Sequence, residues 1–193
     1  MVPFPDDIVT PRLHLIAITS EMLRSEQAGE GRLGELIGCV IPVGWPHRNW
    51  EPHVYDFLRA QMANHPEQRG WHRYISVLSQ EGTRTLIGSL GGFTRAARPR
   101  ECEIGYGILP AYENKGYTTE AAGALIGYLR GHRGHRDYEG AAMESVIAHT
   151  YPALRGSIRV MEKCGMTFDG EGEEAGTIRY RLALRETMRA AMR

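Results

Sequence analysis

Apolar and polar positions follow one another along the chain in short blocks, each with the period of a strand or of a helix. Arg12 to Ile18 (RLHLIAI) reads as a first strand, and Glu21 to Ala28 with Leu33 to Ile37 as two short helical pieces set among Gly29, Gly31 and Gly34. Ile41 to Trp50 (IPVGWPHRNW) carries prolines at 42 and 46, which exclude a helix, yet presents two tryptophans and so a large apolar surface. From Pro52, a favourable first helical residue, Val54, Phe57, Leu58 and Met62 recur at helical spacing and predict an amphipathic helix that stops before Pro66. Trp71 to Leu78 and Leu86 to Phe93 are strand-like runs divided by Gln80-Glu81-Gly82, the pattern of an antiparallel hairpin. Glu101 to Leu109 is a third run, cut off by Pro110. A helix is predicted from Tyr117 to Arg130 with Tyr117, Ala121, Ala124, Leu125 and Tyr128 on one side, then a strand over Glu144 to Ala148. Ser157 to Cys164 fits a short helix closed by Gly165, and Ile178, Tyr180, Leu182 and Leu184 alternate with Arg179, Arg181 and Arg185 as a half-exposed final strand. The order predicts a mixed α/β fold with an antiparallel first half, strands and helices sharing one core. No internal repeat is visible.

Length and composition narrow the class. The 193 residues are 42% hydrophobic and 24% charged, an ordinary soluble mixture, and single domains commonly run to about 100–200 residues. One domain over residues 1–185 is therefore expected, with 186–193 (ETMRAAMR) as a frayed basic extension. Lys plus Arg and Asp plus Glu are equal at 23 each, so the long-range attraction that nucleic acid or anionic lipid would need is missing, and neither is an expected partner. The opening MVPFPDDIVTPRLHL lacks the basic start and apolar run of a signal peptide, and no stretch approaches the ~20 apolar residues of a membrane span; the expectation is cytoplasmic. Cys39, Cys102 and Cys164 are far apart and form no CxxC, which suggests buried thiols, and His132 and His135 in GHRGHRD lack acid or thiol partners at ligand spacing, so no metal is expected.

The segment richest in chemistry is Glu103 to Ala122, EIGYGILPAYENKGYTTEAA. A strand is ended by proline, and a loop with Asn114, Lys115 and Gly116 opens directly into a helix. The unpaired N–H groups and positive dipole end of such a helix attract phosphate. Gly116 lets the backbone approach an anion, and Lys115, one of only two lysines, adds charge. Neither a Walker loop nor a GxGxxG fingerprint is present. The alternative is a plain strand-to-helix connector with a solvated lysine.

The run IGYGILPAYENKGYTTEA resembles motif A of the GNAT superfamily of N-acetyltransferases. TPRLHLIAI resembles the opening strand of the branch that includes the ribosomal-protein N-terminal acetyltransferases, and IAHTYPALRGSIRVMEKCGM at 147–166 resembles its motif B. The resemblance runs from about Thr10 to Met166. It implies a GNAT-like domain with a splayed central sheet, and acetyl-coenzyme A as cosubstrate. Ile108 and Leu109 would offer backbone groups to the pantetheine, and Asn114, Lys115, Gly116, Tyr117, Thr118 and Thr119 would cradle the diphosphate. It further implies a primary-amine acceptor, direct acetyl transfer and, by family habit, a homodimer. Four positions depart from the pattern: Glu113 where Gln or Arg is usual, Thr118 where a small residue is usual, Leu154 in place of a frequent Asn, and Met161 where many members carry a tyrosine acting as general acid.

Acetyl transfer needs a neutral amine and a donor for the departing thiolate. Strand alternation puts Glu101, Glu103, Gly105 and Gly107 on one face, so Glu103 beside the glycines is the candidate base; an ion-paired or solvated strand glutamate is the alternative. Ser157 is the candidate donor, with a simple helix N-cap as the alternative. Trp45, Trp50 and Trp71 with His47 and His53 are candidates for the acceptor wall, against tryptophans that pin a loop to the core. An acyl-CoA-binding module without turnover is the competing functional class, motivated by the missing tyrosine and asparagine and by the acidic Glu113.

Overall fold

A computed structural model describes residues 7–29, 31–48, 50–79, 82–131 and 143–184. Its elements in chain order are β1 (Ile8–Val9), β2 (Leu13–Ala17), α1 (Ser20–Gln27), α2 (Leu33–Ile37), α3 (Pro52–Asn64), β3 (Arg73–Leu78), β4 (Arg84–Arg95), β5 (Arg98–Ile108), α4 (Tyr117–Gly131), β6 (Ser145–Thr150), α5 (Arg155–Lys163), β7 (Thr167–Glu171) and β8 (Ile178–Ala183). The eight strands form one open mixed sheet in the order β1-β2-β3-β4-β5-β6-β8-β7. Neighbours are antiparallel from β1 to β5, β5 and β6 are parallel, and β8 pairs antiparallel with both β6 and β7. A parallel pair needs a crossover, and α4 supplies it.

Strand alternation builds a core on each face. On one, Leu13, Leu15, Ile75, Ile87, Leu90, Cys102 and Ile104 pack against Ala121, Leu125 and Leu129 of α4 and Ile158 and Met161 of α5. On the other, Ile16, Ile18, Tyr74 and Leu86 meet Leu23 of α1, Leu33 and Ile37 of α2, and Tyr55 and Leu58 of α3. Leu125 is completely buried; truncating such a leucine to alanine costs ~2–5 kcal/mol. Local chemistry sets the helix ends. Thr19 caps α1 by accepting the Met22 N–H, Gly38 closes α2 at φ 63°, and Gly165 follows α5 at φ 81°.

The predicted elements are present, with four differences. β1 is two residues long, too short to leave a periodic trace. β7, TFDGE, has no alternation and carries Asp and Gly; it is a strand because the outer edge of β8 is free to pair with it, Thr167 opposite Arg181 and Phe168 opposite Tyr180. β5 begins at Arg98, ahead of the expected start at Glu101. α5 begins at Arg155, so Ser157 stands in its first turn and is not its cap; the N-cap position is Leu154, which has no side-chain hydrogen bond. Gln80, Glu81, His132, His135 and the 186–193 extension lie outside the described residues. Among the described residues no helix is long and apolar enough to cross a membrane.

One irregularity positions everything that follows. β5 and β6 pair only over Glu101–Ser145, Cys102–Val146 and Glu103–Ile147, although β5 continues to Ile108 and β6 to Thr150. Beyond Glu103 the two strands part.

Candidate active site

The parting strands leave backbone groups without a sheet partner. Leu109 N–H donates to Ile87 O (2.8 Å), and Gly88 stands opposite Ile108. Backbone groups of successive strand residues point to opposite edges, so those of Ile104, Tyr106 and Ile108 face the opening. Of the two residues expected to offer backbone groups, Ile108 faces the opening. Leu109 does not: its N–H is committed to β4, and its carbonyl already accepts the Tyr112 N–H (2.9 Å).

At the far end of β5 a single 3-10 turn over Pro110–Tyr112 leads into the loop before α4. Asn114 and Gly116 both have positive φ, 60° and 79°, the conformation that turns successive N–H groups to one side and makes an anion-binding concavity. Among the described residues the first α4 N–H with a backbone acceptor is that of Glu120, bonded to Gly116 O (3.0 Å). The N–H groups of Tyr117, Thr118 and Thr119 stay available at the positive end of the helix. Lys115 reaches back to Ala111 O (3.0 Å) and over the Tyr112 ring (5.3 Å).

Arg12, which no local signal connects with this loop, is its second cation. Its guanidinium donates to Lys115 O (2.9 Å), pairs with Glu120 Oε2 (2.6 Å) and lies 4.7 Å from the centre of the Tyr117 ring. Glu120 also accepts from Thr10 Oγ1 (2.6 Å) and the Arg12 N–H (3.0 Å). Burial alone would raise its pKa, but the hydrogen bonds from Thr10 and Arg12, with the Arg12 charge, outweigh that and lower it. The one carboxylate in the first turn of α4 is thereby neutralised. Glu113 is exposed and stands 3.7 Å from Arg48, so a cation accompanies this departure as well.

Glu103 sits where pairing between β5 and β6 ends. One oxygen is 3.0 Å from His149 Nδ1 and the other 2.6 Å from Arg95, which also pairs with Glu173. His149 is two residues beyond Ile147, the parallel partner of Glu103, and so shares its face. With Glu103 accepting the Nδ1 proton, the lone pair rests on Nε2, which is buried without a hydrogen-bond partner. A Cβ on Gly105 would meet nothing within 4 Å, so the floor beside Glu103 is open. Gly107, expected to leave room too, is covered: a Cβ there would lie 2.3 Å from His47 Cε1.

His47 bonds through Nε2 to Ser89 Oγ (2.7 Å) and has its pKa lowered to about 4 by burial, so it is neutral at pH 7. Around it Trp45 meets the ring edge-on and Trp50 at a tilt, at 5.6 and 5.7 Å between centroids. Trp45 Nε1 donates to Glu26 (2.6 Å), and Tyr74 donates to the other Glu26 oxygen. Burial pushes the Glu26 carboxyl up against these hydrogen bonds. The proline- and tryptophan-rich segment is thus pinned to α1 and the sheet, and His47, Trp45 and Trp50 form one group. Trp71 and His53 do not join it. Trp71 lies in the other core, and His53 is exposed beside Glu51 (3.5 Å).

On the opposite face Tyr106 Oη is 3.2 Å from both the carbonyl and Oγ of Ser157, joining β5 to α5 across the opening. Burial, with the nearby Cys164, pushes the Tyr106 hydroxyl up to about 12 against the Ser157 hydrogen bond, so it keeps its proton at neutral pH. Met161, where a tyrosine was the family habit, is core, and Leu154 is exposed. Sequence reasoning missed both Tyr106 and His149. Each stands inside a motif already singled out, but their partners are 51 and 46 residues away.

The model of the acetyltransferase (GNAT) domain matches residues 37–167. None of the curated proteins matches the chain. Among solved structures it is similar to the GNAT-family acetyltransferase from Bacillus anthracis, at 20% identity over 94% of this chain and 100% of that one, TM-score 0.57. It is similar also to RimL, the ribosomal L7/L12 α-N-protein acetyltransferase in complex with coenzyme A (14% identity, 92% of this chain and 98% of that one, TM-score 0.60). Ribosomal-protein-S5-alanine acetyltransferase from Vibrio fischeri is a further neighbour (14% identity, 93% and 97% covered, TM-score 0.55). At these identities the likeness is one of fold.

Proposed function

The chain belongs to the GNAT acetyltransferase domain family, and from that premise we propose that it transfers the acetyl group of acetyl-coenzyme A to a primary amine by direct attack. The observation that carries this reading is the parting of β5 and β6 beyond Glu103 with an unpaired helix N-terminus at its mouth. The diphosphate rests on the backbone of Asn114, Lys115, Gly116, Tyr117, Thr118 and Thr119, with Arg12 holding the loop in shape from behind. The pantetheine runs along the backbone edge of Ile104, Tyr106 and Ile108, which offers donors and acceptors that no strand uses. RimL, of the same fold, was solved in complex with coenzyme A.

The amine approaches over Gly105, the open position of the face that carries Glu103 and His149. Its nitrogen attacks the thioester carbonyl, the C–S bond breaks, and the amine proton passes to the Glu103–His149 pair, directly or through water. Coenzyme A departs as a thiolate. Tyr106 and Ser157, on the α5 side of the opening, supply hydrogen bonds to the sulfur. A phenol held near 12 stabilises a thiolate by hydrogen bonding without surrendering its proton, since a free thiol of pKa about 8.5 is the stronger acid.

The test is incubation with acetyl-coenzyme A and a panel of peptides, amino acids, polyamines and amino sugars, with free thiol and acetylated product both measured by mass spectrometry. Product with stoichiometric thiol is expected for at least one amine class. Tight coenzyme binding with no product across the panel would replace this reading by that of a binding module.

A further inference from the structure

The acceptor face carries an aromatic pair that neither the cores nor the proposed reaction uses. Phe57 of α3 and Phe93 of β4 stand edge to face, 5.1 Å between centroids, and neither belongs to either hydrophobic core. Phe57 is 38% exposed and Phe93 is half-buried. Aromatic rings are among the largest apolar surfaces a chain has to cover. Two of them left in contact at the rim of a site therefore mark apolar surface that a bound molecule covers.

Register places the pair beside the reacting atoms. Phe93 is the direct antiparallel partner of Glu103, and Gly91 that of Gly105. Direct partners point to the same face with their Cβ atoms about 4.5–5.5 Å apart, and diagonal neighbours lie within about 8 Å. Phe93 is thus beside Glu103 and diagonal to the open floor at Gly105. Arg95 ties ring and carboxylate together: its guanidinium lies 5.7 Å from the centre of the Phe93 ring and donates to Glu103 at 2.6 Å. Phe57 is held on the same face through His72. The His72 ring fills the space over Gly91, where a Cβ would lie 2.1 Å from Nδ1, and Phe57 meets that ring edge-on at 6.3 Å. Burial lowers the His72 pKa to about 4, so at pH 7 the wall made by His72, Phe57 and Phe93 carries no charge.

We propose that Phe57 and Phe93 form the side-chain subsite of the acceptor: the amine acetylated here carries an apolar group, aromatic or branched aliphatic, one or two carbons from its nitrogen. With the nitrogen beside Glu103, a substituent on the adjacent carbon spans the distance between strand partners and meets Phe93, and its outer atoms reach Phe57. A hydrogen in that place leaves both rings wet, and a hydroxyl turned against them loses its water without gaining a partner. Glycine-like and serine-like amines are therefore the poorer acceptors. The inference rests on the acetyltransferase reading for its reaction, but its binding half is measured without turnover.

Phenylalaninamide, leucinamide, serinamide and glycinamide share amine and amide and differ only in the side chain, so they serve as acceptors with saturating acetyl-coenzyme A. Their N-acetyl forms serve as binding probes by titration calorimetry, with and without coenzyme A. For the wild type, kcat/KM with phenylalaninamide and leucinamide should exceed that with glycinamide and serinamide by roughly tenfold or more, carried by KM, and N-acetyl-phenylalaninamide should bind more tightly than N-acetyl-glycinamide by a similar factor. Phe57→Ser should bring both ratios below about threefold, and Phe57→Leu, which keeps the wall apolar, should preserve them. Both variants are expected to fold, because Phe57 is exposed and outside the cores. 2-Phenylethylamine lacks the amide: turnover equal to that of phenylalaninamide supports a free aralkylamine as the acceptor, and turnover well below it supports an amino-acid or peptide N-terminus. Equal kcat/KM across the four amides, a preference that survives Phe57→Ser, or one lost as fully in Phe57→Leu overturns the inference and leaves the acetyltransferase reading intact. Selective binding of N-acetyl-phenylalaninamide with no acetylation of any amine keeps the subsite and sinks the reaction. No acetylation of the four amides together with no binding of any probe at millimolar concentration overturns the inference, whatever other amine is acetylated.

Discussion

Gly107→Ala tests how the acceptor face is packed, and its cost can be worked from the structure. The new methyl would lie 2.3 Å from His47 Cε1 and 2.6 Å from Nδ1. His47 cannot swing aside cheaply: it is buried, bonded to Ser89 at 2.7 Å and flanked by Trp45 and Trp50. Overpacking of this kind costs ~1–3 kcal/mol, and displacing the ring forfeits the Ser89 hydrogen bond at ~0.5–1.5 kcal/mol. Against this, replacing glycine lowers the entropy of the unfolded chain, worth ~0.4–1 kcal/mol where φ is ordinary. The expected net loss is about 0.5–4 kcal/mol with a middle value of about 2, and each kcal/mol lowers Tm by about 2–4 °C for a chain of this size. Urea denaturation followed by tryptophan fluorescence reads the loss, and His47→Ala in the Gly107→Ala background separates clash from other causes. With the ring gone the methyl enters vacated space, so the cycle should show a coupling of at least ~1 kcal/mol. A single variant within ~0.5 kcal/mol of the parent, or a double variant with no coupling, would refute the packing of His47 on β5.

Coenzyme A should stabilise the protein by about 2.7 kcal/mol at a hundred times its dissociation constant, and Gly116→Asp should abolish the thermal shift by putting a negative charge into the loop at a residue of φ 79°; retained binding in a folded variant would place the diphosphate elsewhere. Glu103→Gln should lower kcat by roughly a hundredfold with little change in coenzyme affinity and flatten the low-pH limb of the rate profile; turnover within a few fold of the parent would remove Glu103 from proton transfer. Glu120 has a pKa depressed below its ordinary 4.5, so its stabilising contribution is present above that value and is lost as pH falls through the lower folded value. Wild type should accordingly exceed Glu120→Gln in stability at neutral pH, and the gap should close in acid; a gap independent of pH would exclude the Arg12 ion pair as its source.

The sequence by itself determined the local elements and the shape of the loop proposed to hold the diphosphate. Proline at 110, glycine at 116 and the apolar spacing from Tyr117 to Leu129 act within a few residues, so a chain ending in Pro-Ala-Tyr-Glu-Asn-Lys-Gly before a helix declares its own geometry. Likewise the hairpin of β3 and β4 follows from two apolar runs and a turn. Only the tertiary structure decided which side chains would share a site. Arg12 reaches Lys115 and Glu120 across 103 and 108 residues, His149 finds Glu103 across 46, and Tyr106 finds Ser157 across 51. β7 exists because β8 offers it an edge, and the commitment of Leu109 but not Ile108 to β4 follows from sheet register. Such relations depend on pairing and face, which shift with a single-residue change of register and leave no periodic mark in the chain.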